Sequence, residues 1–493
     1  MGLTWDLGAL LTAAGIPAPG GLETITVTGV TCDSRRVVAG ELFVAVRGAS
    51  QDGSAFIPEA IRQGACAVVA DAEATVATAS VPIIRVSDMR RAIAALAHAW
   101  HDDPSRDLVV VGITGTNGKT TVTYLIQTLL QQAGRPCGLI GTIEYRAGGQ
   151  PSPSHNTTPG PVELAALCAQ MRQAGLQACA MEVSSHALDQ RRVEGMAFQI
   201  GVFLNATPEH LDYHKTFEAY LAAKASLFAM LPPWGTAVVN AEDPSASVIK
   251  GQTMARILTF GVGVPADVAI QETRCTLEGS DGLLVTPAGR TPFHTTLIGR
   301  HNLSNVAAMA AVGTACGLSV ATMASAISAF QGVPGRLERI EAGQSFPVFV
   351  DYAHTDDALS HVLGALRVLT DHRLIVVFGC GGDRDRAKRP RMGAVAGQYA
   401  DRIIVTSDNP RSEAPQAIAD EVVAGIPPTA SCAVVLDRAA AIRQALTEAD
   451  ARSVVLIAGK GHETTQIFHD GSVPFDDRQV VREALAECAG VRA

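Results

Sequence analysis

Residues 109–126 read VVVGITGTNGKTTVTYLI, and this stretch decides the fold. The apolar run that ends at Thr114 is typical of a parallel strand buried on both faces. After a glycine-rich turn, apolar residues recur at helical spacing, and Gly134 is placed to stop that helix. A strand, a glycine-rich loop and a helix in this order predict an α/β nucleotide-binding unit.

The loop departs from the usual P-loop at one position. A P-loop has a glycine six residues before its lysine, and this chain has Ile113 there. The shorter run GTNGKT, residues 115–120, still offers backbone N–H groups and a helix N-terminus to a phosphate. Lys119 is expected to neutralise the β- and γ-phosphates, and the Thr120 hydroxyl to ligate Mg²⁺. The alternative is a plain glycine turn with a surface lysine.

Composition limits the class of protein. A length of 493 residues favours three domains, and 47% hydrophobic with 18% charged residues indicates a well-packed globular chain. The net charge of −9 gives no reason to expect nucleic acid as a partner. No apolar run reaches membrane-spanning length, and the first residues lack a basic leader. The 10 cysteines form no C-x-x-C pair, which favours reduced thiols in the cytoplasm.

The expected fold class is α/β with three domains. Residues 1–105 predict a small α/β unit that ends in the polar joint HDDPSRD. Residues 106–335 alternate buried strands with helices around a P-loop-type, mostly parallel sheet. A second joint, GVPGRLERI, precedes residues 336–493, whose strands and helices predict a Rossmann-like domain.

Polar residues follow the strands of the central domain. Ligands of parallel sheets bind beyond the carboxyl ends of strands. One strand delivers Glu182 and His186, and the next delivers Asn205 and His210. A carboxylate and an imidazole beside a triphosphate predict a divalent metal, Mg²⁺ or Mn²⁺. Each histidine taken singly is equally typical of a structural residue.

Lys224 is predicted to face inward. On a helix it shares its face with Tyr220, Leu221, Leu227 and Phe228. A lysine on such a face usually extends its amine to water. The alternative is a desolvated amine with a lowered pKa, which could capture CO₂ as a carbamate.

The last domain has four polar loops, which are DYAHTDDAL from Asp351, GCGGDRDRAKR from Gly379, SDNPR from Ser407 and GKGHE from Gly459. Asp, Arg and Gly clustered at strand ends suit a small zwitterion with carboxylates. Polar turns are the alternative for each loop taken alone.

Together these motifs resemble the Mur ligases, the ATP-dependent amide-forming enzymes of peptidoglycan precursor synthesis. The shortened GTNGKTT loop is similar to that family's own phosphate loop, and the resemblance covers essentially the whole chain. It implies a cytoplasmic monomer that uses ATP and Mg²⁺. Within the family, the chain is most similar to members that add meso-diaminopimelate to UDP-MurNAc-L-Ala-D-Glu.

The resemblance also implies roles for individual residues. The ATP loop comprises Thr114, Gly115, Thr116, Asn117, Gly118, Lys119 and Thr120, with His301 and Asn302 near adenine and Asp351 near ribose. Catalytic and Mg²⁺-binding roles fall to Lys119, Glu182, His210 and Lys224, the last as a carbamate. The uridine nucleotide and muramoyl dipeptide fall to Cys32, Ser34, Ala49, Ser50, Gln51, Asn156, Thr157, Thr158, Ser184, Gln190 and Arg192.

The diaminopimelate site implied by the resemblance consists of Arg384, Asp408, Asn409, Pro410, Arg411, Gly459 and Glu463. Arg411 can hold the distal carboxylate of diaminopimelate bidentately, and lysine lacks that carboxylate. The chain departs from the family at Cys32, where leucine is usual, and at Asp356, where proline is common; the second departure is expected to alter a turn.

Four other functions remain open at this stage. A lysine-adding Mur ligase or a folylpolyglutamate synthase would share the phosphate loop, but the DNPR and DSR segments argue against both. A P-loop NTPase switch would hydrolyse ATP without an amine acceptor, and Ile113 counts against it. A non-catalytic nucleotide-binding protein is disfavoured by Lys119, Thr120 and Glu182.

Overall fold

The computed structural model describes residues 3–47, 52–75 and 79–491. The chain divides into two compact units. The first comprises Met1–Ala269, Val285–Arg290 and Asn305–Ala326, and the second comprises Ile270–Leu284, Thr291–Ser304 and Ile327–Ala493.

The first unit begins with a four-stranded parallel sheet. The elements are β1 (Trp5–Asp6), α1 (Leu7–Ala13), β2 (Thr26–Val27), β3 (Gly29–Thr31), β4 (Glu41–Val44), α2 (Ile57–Arg62), β5 (Ala67–Asp71), β6 (Ile83–Val86) and α3 (Met89–Trp100). The sheet order is β3-β4-β5-β6, and short 3₁₀ turns occupy Ser34–Arg36, Gly53–Phe56 and Pro104–Asp107. Asp88 caps α3 by accepting from the Arg91 N–H, which explains where that helix begins.

The central sheet follows in the same unit. Its elements are β7 (Val109–Thr114), α4 (Lys119–Gln132), β8 (Cys137–Ile140), β9 (Glu144–Arg146), β10 (Ser152–Pro153), α5 (Pro161–Gln173), β11 (Ala178–Glu182), α6 (Ser185–Asp189), β12 (Phe198–Phe203), α7 (Leu211–His214), α8 (Phe217–Ala229), β13 (Thr236–Asn240), α9 (Ala246–Gly251) and β14 (Arg256–Val262). These strands lie in the order β10-β9-β8-β11-β7-β12-β13-β14, parallel except at β9 and β10.

This strand order decides where the candidate site lies. β7 runs between β11 and β12, with Ile113 opposite Glu182 and Thr114 opposite Phe203. The segments that follow these three strands therefore leave the sheet at neighbouring positions on its carboxyl edge.

Strands β15 (Val268–Cys275), β16 (Ser280–Thr286) and β17 (Gly289–Thr295) and helices α10 (Arg300–Ala315) and α11 (Val320–Ala329) come next along the chain.

The second unit contains a six-stranded sheet. Its remaining elements are β18 (Glu338–Arg339), β19 (Val348–Asp351), α12 (Asp356–Leu369), β20 (Arg373–Phe378), α13 (Lys388–Tyr399), β21 (Arg402–Val405), α14 (Pro415–Val423), β22 (Cys432–Val434), α15 (Arg438–Glu448), β23 (Ser453–Ala458), β24 (Thr465–Phe468), β25 (Gly471–Pro474) and α16 (Asp477–Val491). The order is β18-β19-β23-β20-β21-β22, with only β18 antiparallel to its neighbour. Buried clusters line both faces, as in a doubly wound sheet.

The predicted α/β class with a mostly parallel central sheet is confirmed. Asp356 is the first residue of α12, a position where proline is also well tolerated. The nine cysteines that the structure describes are all free. Among the described helices, none combines the length and the apolar character that crossing a bilayer requires.

Candidate active site

The phosphate loop lies at the carboxyl end of β7. Gly118 has φ 89° and ends the loop at the N-terminus of α4, and a Cβ at this position would lie 2.5 Å from Asn305 Oδ1. Lys119 Nζ donates to the carbonyl oxygens of Gly115 and Thr116, at 2.8 Å each. The ammonium group is therefore held against the loop whose N–H groups suit a phosphate.

The end of β12 anchors this loop. The Thr116 N–H donates to Asn205 O at 3.1 Å, and the Asn117 N–H donates to Asn205 Oδ1 at 2.9 Å. Thr116 Oγ1 lies 2.8 Å from the Tyr220 hydroxyl and donates to Thr207 O at 3.2 Å. Sequence reasoning did not assign this role to Tyr220, because it lies 104 residues from Thr116.

Glu182 ends β11 and is 1% exposed. Its Oε1 accepts from the Thr142 N–H at 2.8 Å, and its Oε2 accepts from Thr142 Oγ1 at 3.0 Å. Such hydrogen bonds orient a carboxylate toward a ligand. Thr142 was not predicted, since no local pattern relates it to a residue 40 positions away.

A cluster of aromatic rings joins the segments that follow β11 and β12. The ring of His186 lies 4.7 Å from that of His210 and 4.3 Å from that of Tyr213, measured between centroids. His210 has φ 56°, and His214 Nε2 lies 3.1 Å from Ser185 Oγ. Burial lowers the pKa of His186, and His210 and His214 lower it further. The His186 imidazole therefore favours the neutral form, the form that ligates metals.

Lys224 lies on α8 and is 2% exposed, so its amine does not extend to solvent. Nζ lies 4.3 Å from the centroid of the Tyr220 ring. Burial holds the pKa of this amine well below its usual range, and the charge of Lys119 lowers it further, while Glu209 opposes the shift. Of the two alternatives that the helical spacing left open, the structure has the desolvated amine.

The predicted Mg²⁺ ligands do not form a preformed cage. Within residues 3–47, 52–75 and 79–491, no three His, Cys, Asp or Glu side chains converge on a metal-binding position. Mg²⁺ is usually held by one or two carboxylates together with waters and substrate phosphates. An oriented carboxylate at Glu182, on the strand next to the phosphate loop, fits that mode.

Predicted substrate residues form one hydrogen-bonded network beside Glu182. Thr158 Oγ1 donates to Glu182 O at 2.9 Å and accepts from the Ser184 N–H at 3.1 Å. Arg192 Nη1 donates to Thr158 O at 3.0 Å, and its Nε and Nη2 donate to Gln190 Oε1 at 3.0 and 2.7 Å. The structure therefore brings Thr158, Ser184, Gln190 and Arg192 together.

Asn156 and Thr157 join the same region through other contacts. Thr157 Oγ1 lies 3.1 Å from Thr142 Oγ1, which links it to the Glu182 carboxylate. The Tyr145 hydroxyl donates to Asn156 O at 2.7 Å, and the Asn156 N–H donates to that hydroxyl at 3.2 Å. Both hydrogen bonds from Tyr145 involve the backbone of Asn156 and not its side chain.

A surface cavity of about 830 Å³ lies in the N-terminal part of the first unit. Cys32 and Ser34 line it, as do Asp33 and Arg35, whose side chains pair at 2.9 Å. The cavity combines apolar walls from Phe43 with these polar groups. Ala49, Ser50 and Gln51, also predicted for the uridine nucleotide, lie outside the described residues.

His301, Asn302 and Asp351 belong to the second unit. His301 is exposed near the start of α10, and Asn302 Nδ2 donates to Ile298 O at 3.0 Å. Asp351 accepts from the backbone N–H groups of Leu337 and Ala353 at 2.7 and 2.8 Å. Burial raises the pKa of Asp351, although these bonds and Arg336 oppose the rise.

The DNPR loop meets two other predicted loops of the second unit. Arg411 has φ 53°, and its Nη1 donates to Gly382 O at 2.8 Å. Asn409 Nδ2 donates to Glu463 Oε2 at 3.0 Å. A Cβ at Gly459 would lie 2.9 Å from Asp408 Oδ2, so these two loops are closely packed.

Arg384 and Pro410 complete the predicted amino-acid site. Arg384 is exposed, and its Nη1 donates to Asp383 O at 3.3 Å. The Gly382 N–H donates to Asn409 O at 2.9 Å, next to the buried Pro410. The loops that carry Arg384 and Arg411 are therefore joined through backbone contacts.

Sequence reasoning missed the buried arginine beneath these loops. Arg389 has a fully buried side chain that donates to both oxygens of Glu413, at 2.7 and 2.9 Å, and to Glu421 Oε2 at 2.8 Å. Glu413 also accepts from the Asp383 N–H at 2.6 Å. Arg389 is the second residue of α13 and follows a run of charged residues that gives no sequence signal of burial, so this network could not be predicted.

Three family models match the chain. The Mur ligase family, catalytic domain, matches residues 26–101, the Mur ligase middle domain matches 113–313, and the Mur ligase glutamate ligase domain matches 335–461.

Named relatives match along nearly the whole chain. A UDP-N-acetylmuramoyl-L-alanyl-D-glutamate--2,6-diaminopimelate ligase of Gloeobacter violaceus is 47% identical, over 94% of this chain and 95% of the relative. A protein of the same name from Synechococcus sp. is 45% identical, over 98% and 99%. A solved structure of a ligase with that name superposes with a TM-score of 0.72 at 31% identity, over 98% and 99% of the two chains.

Proposed function

The chain belongs to the Mur ligase family, and on that basis we propose that it is the ATP-dependent ligase that adds meso-diaminopimelate to UDP-MurNAc-L-Ala-D-Glu. The bond formed joins the amino acid to the γ-carboxylate of D-glutamate, a step of peptidoglycan precursor synthesis. The observation that carries this proposal is the near full-length identity of 47% to a ligase named for this reaction.

The chemistry explains why the site needs a nucleotide. A carboxylate is a poor acyl donor until one of its oxygens becomes part of a phosphate leaving group. In the proposed first step, the γ-carboxylate attacks the γ-phosphorus of ATP, which gives an acyl phosphate and ADP. The amine then attacks the acyl carbon, and the tetrahedral intermediate expels phosphate and loses a proton to form the amide.

Residues of the phosphate loop serve the first step. The N–H groups of residues 115–118 and the N-terminus of α4 favour the negative charge of the phosphates. Lys119 releases its two carbonyl partners and neutralises the transferring phosphoryl group. Thr120, Glu182, His210 and carbamylated Lys224 would hold Mg²⁺, which would neutralise negative charge on the phosphates.

The amine of Lys224 is suited to carbamate formation. Only a neutral amine attacks CO₂, and burial lowers the pKa of this amine well below its usual value. The product carries a carboxylate where the sequence encodes a cation. The Tyr220 ring lies 4.3 Å from Lys224 Nζ and its hydroxyl lies 2.8 Å from Thr116 Oγ1, so Tyr220 places this amine beside the phosphate loop.

The remaining predicted residues divide by substrate. Residues 1–105 take the UDP-sugar, with Cys32, Ser34 and Ala49 to Gln51 at the uridine nucleotide. Residues 106–335 take ATP and the muramoyl dipeptide, the latter through the network around Thr158 and Arg192. Residues 336–493 take diaminopimelate, and His301, Asn302 and Asp351 contact adenosine.

Arg411 decides between diaminopimelate and lysine in this proposal. Diaminopimelate is lysine with a carboxylate on its distal carbon, and a guanidinium binds a carboxylate with two parallel hydrogen bonds. With lysine, the N–H groups of this guanidinium that would bind the carboxylate would be desolvated without an acceptor. Sites of this kind reject the analogue that lacks the polar group by about 10⁴-fold.

One experiment tests the function. The purified chain is incubated with ATP, Mg²⁺ and UDP-MurNAc-L-Ala-D-Glu, with meso-diaminopimelate and L-lysine supplied separately, and phosphate release and product mass are measured. We expect phosphate and a tripeptide product with diaminopimelate only. A tripeptide product with lysine would indicate a lysine-adding ligase. Phosphate release in the absence of an amine would indicate an NTPase. Absence of ADP from the complete mixture would refute the proposed ligase reaction.

A further inference from the structure

Lys460 is a fully buried lysine at the carboxyl end of β23, and neither the proposed chemistry nor sequence reasoning gave it a role. The glycine that follows it, Gly461, has φ 52°, and a Cβ there would lie 2.7 Å from both Gly335 O and Tyr352 Cβ. The backbone next to Lys460 is therefore closely packed. A buried lysine requires partners, because an unpaired charge away from water is costly.

The partners of Lys460 are two residues of the predicted amino-acid site. Nζ donates to Asn409 Oδ1 at 3.0 Å and to Glu463 Oε2 at 2.9 Å. The Ile467 N–H also donates to Asn409 Oδ1, at 3.0 Å. Since an ammonium group and a backbone N–H can only donate, they fix which end of the Asn409 amide is the oxygen.

The fixed amide in turn orients Glu463. Asn409 Nδ2 donates to Glu463 Oε2 at 3.0 Å, the same oxygen that Lys460 contacts. In the part of the chain that the structure describes, both of these side-chain hydrogen bonds reach Oε2, so Oε1 is the oxygen offered to a ligand. The Glu463 side chain is 31% exposed while that of Lys460 is fully buried, so the carboxylate faces outward and the ammonium stays inside.

Charge supports the same arrangement. Burial alone would raise the pKa of Glu463, but the adjacent Lys460 ammonium and the hydrogen bonds from Lys460 and Asn409 bring it below its usual value. Glu463 therefore stays ionised, and an ionised carboxylate is the acceptor that a substrate ammonium group needs.

We propose that Lys460 is a positioning residue for the amino-acid substrate: by holding Asn409 and Glu463 in one orientation, it presents Glu463 Oε1 to an ammonium group of the incoming diamino acid. This inference rests on the proposed function. In this arrangement Arg411 binds the distal carboxylate of the substrate. Glu463, held by Lys460 and Asn409, binds an ammonium group.

The test compares Lys460→Met, which keeps the side-chain length without the charge, with Lys250→Met, a control at a partly exposed lysine of α9. We expect Lys460→Met to raise the KM for meso-diaminopimelate about tenfold or more, with the KM for ATP and for the UDP-dipeptide changed less than about twofold. The control should leave all three KM values unchanged. An unchanged diaminopimelate KM in a folded Lys460→Met protein would overturn the proposal.

Two readouts separate positioning from a general structural role. If Lys460 acts through Glu463, the double variant Lys460→Met/Glu463→Gln should have the diaminopimelate KM of Glu463→Gln alone, whereas independent effects would multiply. Lys460→Met should also move the acid limb of kcat/KM for diaminopimelate to higher pH. The inference would be contradicted if the two substitutions multiplied their effects on the diaminopimelate KM and Lys460→Met left the acid limb of the kcat/KM profile unchanged.

Folding is measured first, by circular dichroism and thermal unfolding. If Lys460→Met does not fold, Lys460→Arg keeps the buried charge with a different donor geometry, and the same selective rise in KM is expected. An unchanged KM in Lys460→Arg would then count against the inference. Wild-type protein that makes no product with diaminopimelate would instead refute the proposed function, so the two failures are distinguishable.

Discussion

At Arg411 an unusual backbone conformation accompanies a candidate ligand contact. Its φ of 53° is rare for a residue with a Cβ and costs on the order of 1 kcal/mol or more. Arg411 N–H donates to Ile467 O at 3.1 Å, and Nη1 donates to Gly382 O at 2.8 Å. A guanidinium has five N–H donors, so these contacts leave capacity for a carboxylate. Strain at such a position is typical of a functional site.

Arg411→Met should therefore weaken the choice of substrate. Without the guanidinium, the distal carboxylate of diaminopimelate loses its partner, while lysine loses nothing. We expect the ratio of kcat/KM for diaminopimelate over lysine to fall by about 10²-fold or more. Arg452→Met, at an exposed arginine of the same unit, is the matched control and should preserve the ratio. A preserved ratio in Arg411→Met would assign the selectivity to other residues.

Lys224→Ala should reduce kcat by about 10²-fold or more, since it removes the group proposed to carry a carboxylate beside the phosphates. Short carboxylic acids such as acetate should restore part of the activity by occupying the space left by the carbamate. Lys250→Ala should retain full activity and show no response to acetate. Full activity in Lys224→Ala would remove the carbamate from the mechanism, and mass spectrometry of the native chain can detect the added CO₂ directly.

The inward side chain of Lys224 could be predicted from the sequence, but the contacts of Glu182 could not. Lys224 shares a helical face with apolar neighbours three and four residues away, and that spacing is local information. Thr142, the hydrogen-bond partner of Glu182, lies 40 residues away in the connection between β8 and β9. Arg389 and Lys460 are fully buried although their segments are polar and glycine-rich. Their burial depends on strands that assemble from distant parts of the chain.

Among the elements, the turn from β7 into α4 is the one most completely encoded in local sequence. Gly118 combines a φ of 89° with the approach of Asn305 Oδ1, which a Cβ would meet at 2.5 Å. Both constraints act on the loop that places Lys119. Asn205, which anchors the loop, lies two residues after β12, and the sequence predicted it only as a polar residue at a strand end.

Gly118→Ala should raise the KM for ATP about tenfold, because the added Cβ strains the backbone and displaces Asn305 from the loop. Gly134→Ala is a matched control at the other end of α4. Gly134 also has a positive φ, 72°, but a Cβ there meets nothing within 4 Å. The control should lower the free energy of unfolding by about 1 kcal/mol without changing the KM for ATP. Equal KM values for Gly118→Ala and wild type would show that the loop tolerates the methyl group.

At the scale of the whole molecule, buried ionisable groups determine how folding responds to pH. His98 on α3 is 2% exposed, and neither of its ring nitrogens has a hydrogen-bond partner among the described residues. Its ring packs against Gly195, where a Cβ would lie 2.9 Å from Cδ2. Burial lowers the pKa of this imidazole from 6.5 to about 4.

The sign of the pH effect follows from this lowered pKa. Above pH 6.5, His98 is neutral in the folded and the unfolded chain, so it adds no pH dependence. Between pH 6.5 and about 4 the unfolded chain binds a proton that the folded chain does not, and stability falls by up to roughly 3 kcal/mol. His98→Leu removes the titrating group, so its melting temperature should fall less steeply than that of wild type as the pH is lowered over this interval. The control His155→Leu changes an exposed histidine and should keep the wild-type slope. If the melting temperatures of wild type and His98→Leu fell equally with pH, His98 would bind protons in the folded state. The packing of α3 against Gly195 would then not exclude them.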